Sequence, residues 1–234
     1  PVPPRAVGRH RQDEEGGKVV SQQLPDVRPF LETHPIVPVV VIDDAAQAPD
    51  AARALVAGGI HCAEVTFRTA AGGEAIKAMR DVEGMTVGAG TVLTRAQAET
   101  AADLGAKFFV SPGWSAGVAD VAAERQIPYL PGVQTATEIM MALEYGATAV
   151  KFFPGGEAGG LPMVKALRGP FPNTYFVPSG GVKLANMAEW LSDPAILSVS
   201  GSWMIKRDLI SSGNFAEITR LSQEASDLAK EIRK

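Results

Sequence analysis

Lys151 lies in the middle of Gly146-Ala-Thr-Ala-Val-Lys-Phe-Phe-Pro154, a stretch with almost no other polar side chain. Read as a buried strand stopped by Pro154, it leaves the amine two options. The amine reaches a polar surface along its methylene stem, or it sits in a desolvated cavity, where the neutral form is favoured. A neutral amine attacks a carbonyl carbon and forms a Schiff base, so the second option is a chemical one. A second stretch carries complementary groups. In Cys62-Ala-Glu-Val-Thr-Phe-Arg68 the two-residue period of a strand puts Cys62, Glu64, Thr66 and Arg68 on one face. Ala63, Val65 and Phe67 take the other face and suit packing against helices, so the polar set points inward. Arg68 then lies roughly 13 Å beyond Glu64, near the strand's end. The same rule places Ala149, Lys151 and Phe153 together, with Val150 and Phe152 on the helix side. An ion pair of Lys151 and Glu64 that merely fills the interior needs the same inward placement. Either way, the two side chains share one cavity.

Small residues mark the ends of other apolar runs. Gly88-Ala-Gly-Thr-Val92 combines two glycines, which let a ligand approach the backbone, with the hydroxyl of Thr91. Ser111-Pro-Gly113 and Pro131-Gly-Val133 read equally well as simple turns or as cavity walls. Val177-Pro-Ser-Gly-Gly-Val182 and Ser198-Val-Ser-Gly-Ser-Trp203 expose backbone N–H groups, and a short helix starting at Trp203 would aim its N-terminus between them. Oriented amides of this kind bind anions.

These groups need a scaffold that brings strand ends together. Apolar, β-branched runs recur at 36–42, 62–67, 86–91, 108–111, 129–132, 149–153, 175–179 and 196–200, and alanine-rich segments of helical spacing fill most gaps. Asp50, Thr94, Ser115 and Thr135 stand as helix-start signals, the last with Glu138 in capping-box spacing. Gly58-Gly59, Gly105 and Gly146 fit helix C-termini. Strands alternating with helices predict an α/β fold, a single-domain (β/α)8 TIM barrel, whose reactive groups sit at the C-terminal strand ends. An open nucleotide-binding sheet needs a Gly-x-Gly-x-x-Gly turn after its first strand, and Asp43-Asp44-Ala45-Ala46 stands there instead. Residues 1–20 are expected to be a disordered tail or the remnant of an engineered start. The barrel is expected over 21–234, opening with an N-terminal helix between Ser21 and Thr33.

Composition removes several classes of function. A formal charge of −4, without a basic run, argues against nucleic acid as a partner. Cys62 is the sole cysteine, which suits a reducing compartment, and no apolar run approaches a bilayer span. With no apolar signal segment near Pro1, a cytoplasmic location is expected. His10, His34 and His61 lie away from the strand ends, so neither a histidine-bound metal nor a Ser-His-Asp triad is expected. Cys62 reads as core, and Trp114, Trp190 and Trp203 as packing residues.

Taken together, Gly59-Ile-His-Cys-Ala-Glu-Val-Thr-Phe-Arg68 and Gly146-Ala-Thr-Ala-Val-Lys-Phe-Phe-Pro154 resemble the two active-site signatures of the 2-keto-3-deoxy-6-phosphogluconate (KDPG) aldolase and 4-hydroxy-2-oxoglutarate aldolase family. Gly88–Val92, Ser111–Gly113, Pro178–Gly181 and Gly201–Trp203 fall in the expected order, and the resemblance runs from about Pro35 to the C-terminus. It implies a class I aldolase that uses no metal or cofactor, acts on a small phosphorylated keto acid and assembles as a homotrimer. By position, Lys151 resembles the Schiff-base lysine and Glu64 the general acid/base. Arg68 and Thr91 match positions that hold the pyruvate carboxylate, while Gly180, Gly181, Gly201 and Ser202 match phosphate-binding loops. Pro112, Phe153 and Ser179 complete the implied substrate-binding set. Two departures stand out: Gly155 where the family usually has Ala or Ser, and Ser179 where Thr is common. Activity on the galactonate epimer or on 4-hydroxy-2-oxoglutarate, phosphosugar isomerisation, and a non-catalytic phosphosugar-binding barrel remain as rival readings.

Overall fold

The structure, a computed structural model, describes residues 23–234. The expected tail and the beginning of the expected first helix lie outside the described residues. Among the described residues there are nine strand segments, separated by helices except between the fifth and sixth. They are β1 Ile36–Val40, β2 Cys62–Thr66, β3 Thr86–Gly90, β4 Phe109–Val110, β5 Tyr129–Leu130, β6 Gly132–Val133, β7 Ala149–Phe152, β8 Tyr175–Pro178 and β9 Val199–Gly201. All pairings are parallel, as connections through helices require. The helices are α1 Arg28–Thr33, α2 Ala48–Ala57, α3 Gly72–Arg80, α4 Arg95–Asp103, α5 Ala116–Arg125, α6 Ala136–Glu144, α7 Gly160–Arg168, α8 Leu184–Leu191, α9 Arg207–Ser211 and α10 Phe215–Ile232.

Each expected apolar run contains strand, but the ladder is not one continuous ring of eight. A curled six-stranded sheet runs β5-β4-β3-β2-β1-β9, and a separate three-stranded sheet runs β6-β7-β8. The break in the run 129–132 falls at Pro131, which has no N–H to give to a ladder. The last run is shorter than expected. Ile196 makes only an isolated bridge to Phe176, and Ser200 a second one to Ser179.

Helix starts follow side-chain chemistry at three of the four expected positions. Thr94, Ser115 and Thr135 each accept a hydrogen bond from a first-turn N–H, and Thr135 forms the full capping box with Glu138. Asp50 is a correction. Helix α2 begins two residues earlier, at Ala48 with Pro49 in its first turn, so Asp50 is a first-turn acid and not the cap.

Two apolar layers follow from strand alternation. The outer layer packs Val65, Val150, Phe152 and Phe176 against the helices, including Leu55 and Ile76. The inner layer gathers Val37, Cys62, Phe108, Val110, Leu130, Ala149 and Val177, closed by Val27 and Leu31 on either side of the start of α1. Each large side chain buried in this floor is worth on the order of 2 kcal/mol. Cys62 is there, as expected, and burial pushes its thiol far above the usual range. Directly above the floor the inward positions turn polar.

Candidate active site

Strand β7 places Lys151 between Gly132 and Val177 in register, with its N–H bonded to the carbonyl of Pro131 at 2.8 Å. Strand β2 places Glu64 between Val39 and Gly88. Lys151 is 4% exposed and Glu64 1%, so each removes the other's charge from isolation: Nζ lies 3.2 Å from Oε1. The carboxylate's other oxygen, Oε2, is buried without a protein partner. Gly90 makes room for it, since a Cβ there would stand 3.0 Å from Oε2. The result is a buried amine with an acceptor beside it and one carboxylate oxygen unengaged. Such a pair can combine a nucleophile with a proton carrier.

The ring of Phe153 lies 5.5 Å from Lys151 Nζ and also borders a cavity of about 160 Å³. The same cavity is lined by Arg68, Ser179, Gly180, Gly181, Gly201 and Ser202, together with Val39 and Val182. Seven of the expected substrate-binding residues therefore meet at one place. Arg68 reaches it differently from the strand reading. Strand β2 stops at Thr66, and Arg68 sits in the exposed turn that follows. Its Nε donates to Thr91 Oγ1 at 3.1 Å, which brings the two residues expected at a carboxylate together. Thr91 adopts φ +56°, a left-handed conformation uncommon for a β-branched residue, at the point where β3 gives way to its loop.

Glycine geometry explains the last two loops. Gly180 and Gly181 take φ +86° and +76°, which L side chains rarely adopt. A Cβ on Gly201 would lie 2.5 Å from the ring of Trp203. Gly155, the departure noted above, donates its N–H to Ser179 O at 2.7 Å, and Gly156 donates to Gly180 O at 3.0 Å. These bonds tie the loop after Lys151 to the loop after β8. Pro112 lies further off: its carbonyl packs where a Cβ on Gly132 would be, at 2.2 Å, and so forms wall beside the lysine's strand neighbour. The expected helix from Trp203 is a correction. Residues 202–204 form a turn, and α9 begins at Arg207.

Sequence reasoning missed residues of this mouth. Val39 and Val182 read as ordinary core positions, and nothing local distinguishes them. Arg207 and Asp43 were missed too. They form a two-point ion pair at the rim, 164 positions apart in the chain. Among the described residues no cluster of His, Cys, Asp or Glu could hold a metal ion, and no helix is long and apolar enough to cross a membrane.

Known proteins resemble this chain in sequence and in fold. The family model for KDPG and KHG aldolase matches residues 27–221. A 2-dehydro-3-deoxy-phosphogluconate aldolase of Treponema pallidum is 45% identical over 195 residues, 83% of this chain and 93% of that protein. The solved 2-keto-3-deoxy-6-phosphogluconate aldolase of Zymomonas mobilis, with 3-phosphoglycerate, superposes with TM-score 0.80 at 41% identity, covering 86% of this chain and 95% of its own. The KDPG aldolase of Legionella pneumophila, with pyruvate captured as a covalent carbinolamine, matches with TM-score 0.80 at 37% identity, over 85% and 97% of the two chains. With a family model spanning most of its length and relatives this similar, the chain belongs to the KDPG and KHG aldolase family.

Proposed function

We propose that this chain is a class I aldolase that cleaves 2-dehydro-3-deoxy-6-phosphogluconate to pyruvate and glyceraldehyde 3-phosphate. The buried Lys151–Glu64 pair, 3.2 Å apart, carries the reading. Lys151 passes a proton to Glu64 and, as the neutral amine, attacks the ketone carbon next to the substrate carboxylate; Glu64 then returns protons while the carbinolamine loses water to give a protonated imine. The imine draws the electrons of the adjacent carbon–carbon bond into an enamine. The hydroxyl beyond that bond gives up its proton, through water, to Glu64 and leaves as the aldehyde. Reprotonation of the enamine carbon and hydrolysis then release pyruvate and free the lysine. Arg68 pairs with the carboxylate, supported by the Thr91 hydroxyl, and Phe153, Pro112 and Ser179 bound the substrate. The backbone of Gly180, Gly181 and Gly201, with Ser202, receives the phosphate.

The proposal extends to the scaffold and its setting. The described residues form one closed (β/α)8 barrel opening with α1. The bridges Phe176–Ile196 and Ser179–Ser200, and the single residue between β5 and β6, support closure of the two sheets. Met140, Met141 and Leu143, exposed on α6, support a homotrimer, and a lone reduced cysteine suits a cytoplasmic enzyme. Incubation with pyruvate and sodium borohydride, followed by peptide mass spectrometry, tests the chemistry. A reduced adduct on Lys151 is expected, and its absence removes the proposal. Because the family model names both substrates, cleavage rates on the phosphorylated sugar acid and on 4-hydroxy-2-oxoglutarate decide the preferred one.

A further inference from the structure

A phosphorylated keto acid brings a carboxylate and a phosphate of about −1.5 to −2 charge into the mouth. The proposed phosphate seat of Gly180, Gly181, Gly201 and Ser202 offers only neutral donors. Arg68 lines the same cavity, but it donates to Thr91 and on the aldolase reading its guanidinium is taken up by the carboxylate. A seat without a cation is an incomplete match for a dianion, because charge-assisted hydrogen bonds are roughly twice as strong as neutral ones.

A second cavity, about 240 Å³, adjoins the first and shares Val39, Arg68 and Ser202 with it. Its remaining walls are Val41, Ile205 and Arg207, so Arg207 is the cation it adds. The guanidinium is held in place by Asp43 in the loop after β1: Nε donates to Oδ2 at 2.5 Å, and Nη2 donates to Oδ1. A guanidinium has five N–H groups in a fixed fork, so this pairing leaves others for a ligand. Asp43 also stays ionised in ordinary buffers, since the hydrogen bond from Arg207 holds its carboxyl below the usual carboxylate range.

We propose that Arg207, braced by Asp43, is the side-chain cation that binds the phosphate end of the substrate and sets the preference for phosphorylated over unphosphorylated keto acids. This rests on the aldolase reading above. Bracing reduces the rotamer freedom lost when a ligand arrives, so the arginine binds at lower entropic cost than a free one. The pair is exposed at the rim, which lets the phosphate enter and leave without unfolding the mouth.

Steady-state cleavage of 2-keto-3-deoxy-6-phosphogluconate and of its dephosphorylated form, by wild type, Arg207→Ala and Arg207→Lys, tests this. Arg207→Ala should raise KM for the phosphorylated substrate about tenfold, ~1.4 kcal/mol, with kcat changed by less than about twofold. Its preference over the dephosphorylated form should fall by the same factor, and Arg207→Lys should restore part of it. A merely structural arginine would impair both substrates equally, and that result, or an unchanged KM, overturns the inference. Calorimetric titration with inorganic phosphate reads the same site without turnover. Weaker binding by Arg207→Ala is expected; equal affinity, or no phosphate binding by wild type, overturns it. A wild type that cleaves neither substrate sinks the aldolase reading, while the phosphate titration still judges Arg207.

Discussion

The two ends of the inward-facing strand surface differ in almost every respect, although the same strands build both. At the floor, Cys62 and Ala149 pack with Val37, Phe108, Leu130 and Val177 in a dry apolar cluster. Two residues further along the same strands stand Glu64 and Lys151, equally buried but ionisable. A step of two residues is about 7 Å of strand. Over that distance the interior changes from close-packed hydrocarbon to an ion pair with one oxygen left unengaged. The small residues change place as well. At the floor Gly88 exists because Phe108 needs its space, a Cβ there lying 2.4 Å from the ring. At the mouth Gly90 exists because the Glu64 carboxylate needs it. Stability and chemistry are thus separated along the strand axis, and the floor supplies the rigid, water-free base against which the pair is held.

That separation predicts that substitutions at the mouth alter rate and those at the floor alter stability. Lys151→Ala should reduce cleavage by at least about a thousandfold, ~4 kcal/mol of barrier, with a folded protein by circular dichroism. A variant within about tenfold of wild type would mean that another group is the nucleophile. Glu64→Gln keeps the shape and a hydrogen bond to Lys151 but cannot carry the proton, so kcat should fall about 10²- to 10³-fold. Single-turnover kinetics would place the loss in carbinolamine dehydration or in bond cleavage. Phe108→Ala removes a ring 2% exposed and should cost about 3 kcal/mol in urea unfolding, with kcat per folded molecule nearly unchanged. An equal loss of kcat would show that floor and mouth are mechanically coupled.

The smallest effect concerns the floor's outer edge. Asp26, just before α1, accepts hydrogen bonds from Arg28 and from Thr148 Oγ1 at 2.6 Å, which joins the N-terminal segment to the start of β7. The Arg28 hydrogen bonds, with help from Thr148, hold the Asp26 carboxyl far below the usual carboxylate range. A carboxyl depressed on folding stabilises the native state above its unfolded pKa, near about 4, and loses that contribution as pH falls below it. Asp26→Asn should therefore cost less than about 1 kcal/mol at pH 7, because the pair is partly exposed. The gap between wild type and variant should close on acidification. A gap that widened toward low pH would contradict the assigned ionisation.

Much of this is legible in the amino-acid sequence alone. A lysine amid Ala149, Val150, Phe152 and Phe153 breaks an apolar pattern, and period two alone gives it and Glu64 an inward direction. Thr94, Ser115 and Thr135 likewise announce their helices through local side-chain chemistry. Asp50 misled because α2 starts at Ala48 without a side-chain cap, its first turn set by Pro49, so the acid falls inside that turn. Local rules also ran out at strand ends. Arg68 lies past the end of β2, so alternation could not direct it, yet the turn still brings it to Thr91.

The amino-acid sequence by itself determined which strand positions face inward, which loops are glycine-permissive and which amine stands out in an apolar strand, because each depends on neighbours a few positions away. The meeting of Lys151 with Glu64, and of Arg207 with Asp43, was decided by tertiary structure. These partners are 87 and 164 residues apart, and only the packing of the two sheets against each other, and of β9 beside β1, carries them together. The 3.2 Å between amine and carboxylate exists because β7 and β2 project side chains into one enclosed interior, where each group is the other's nearest opposite partner.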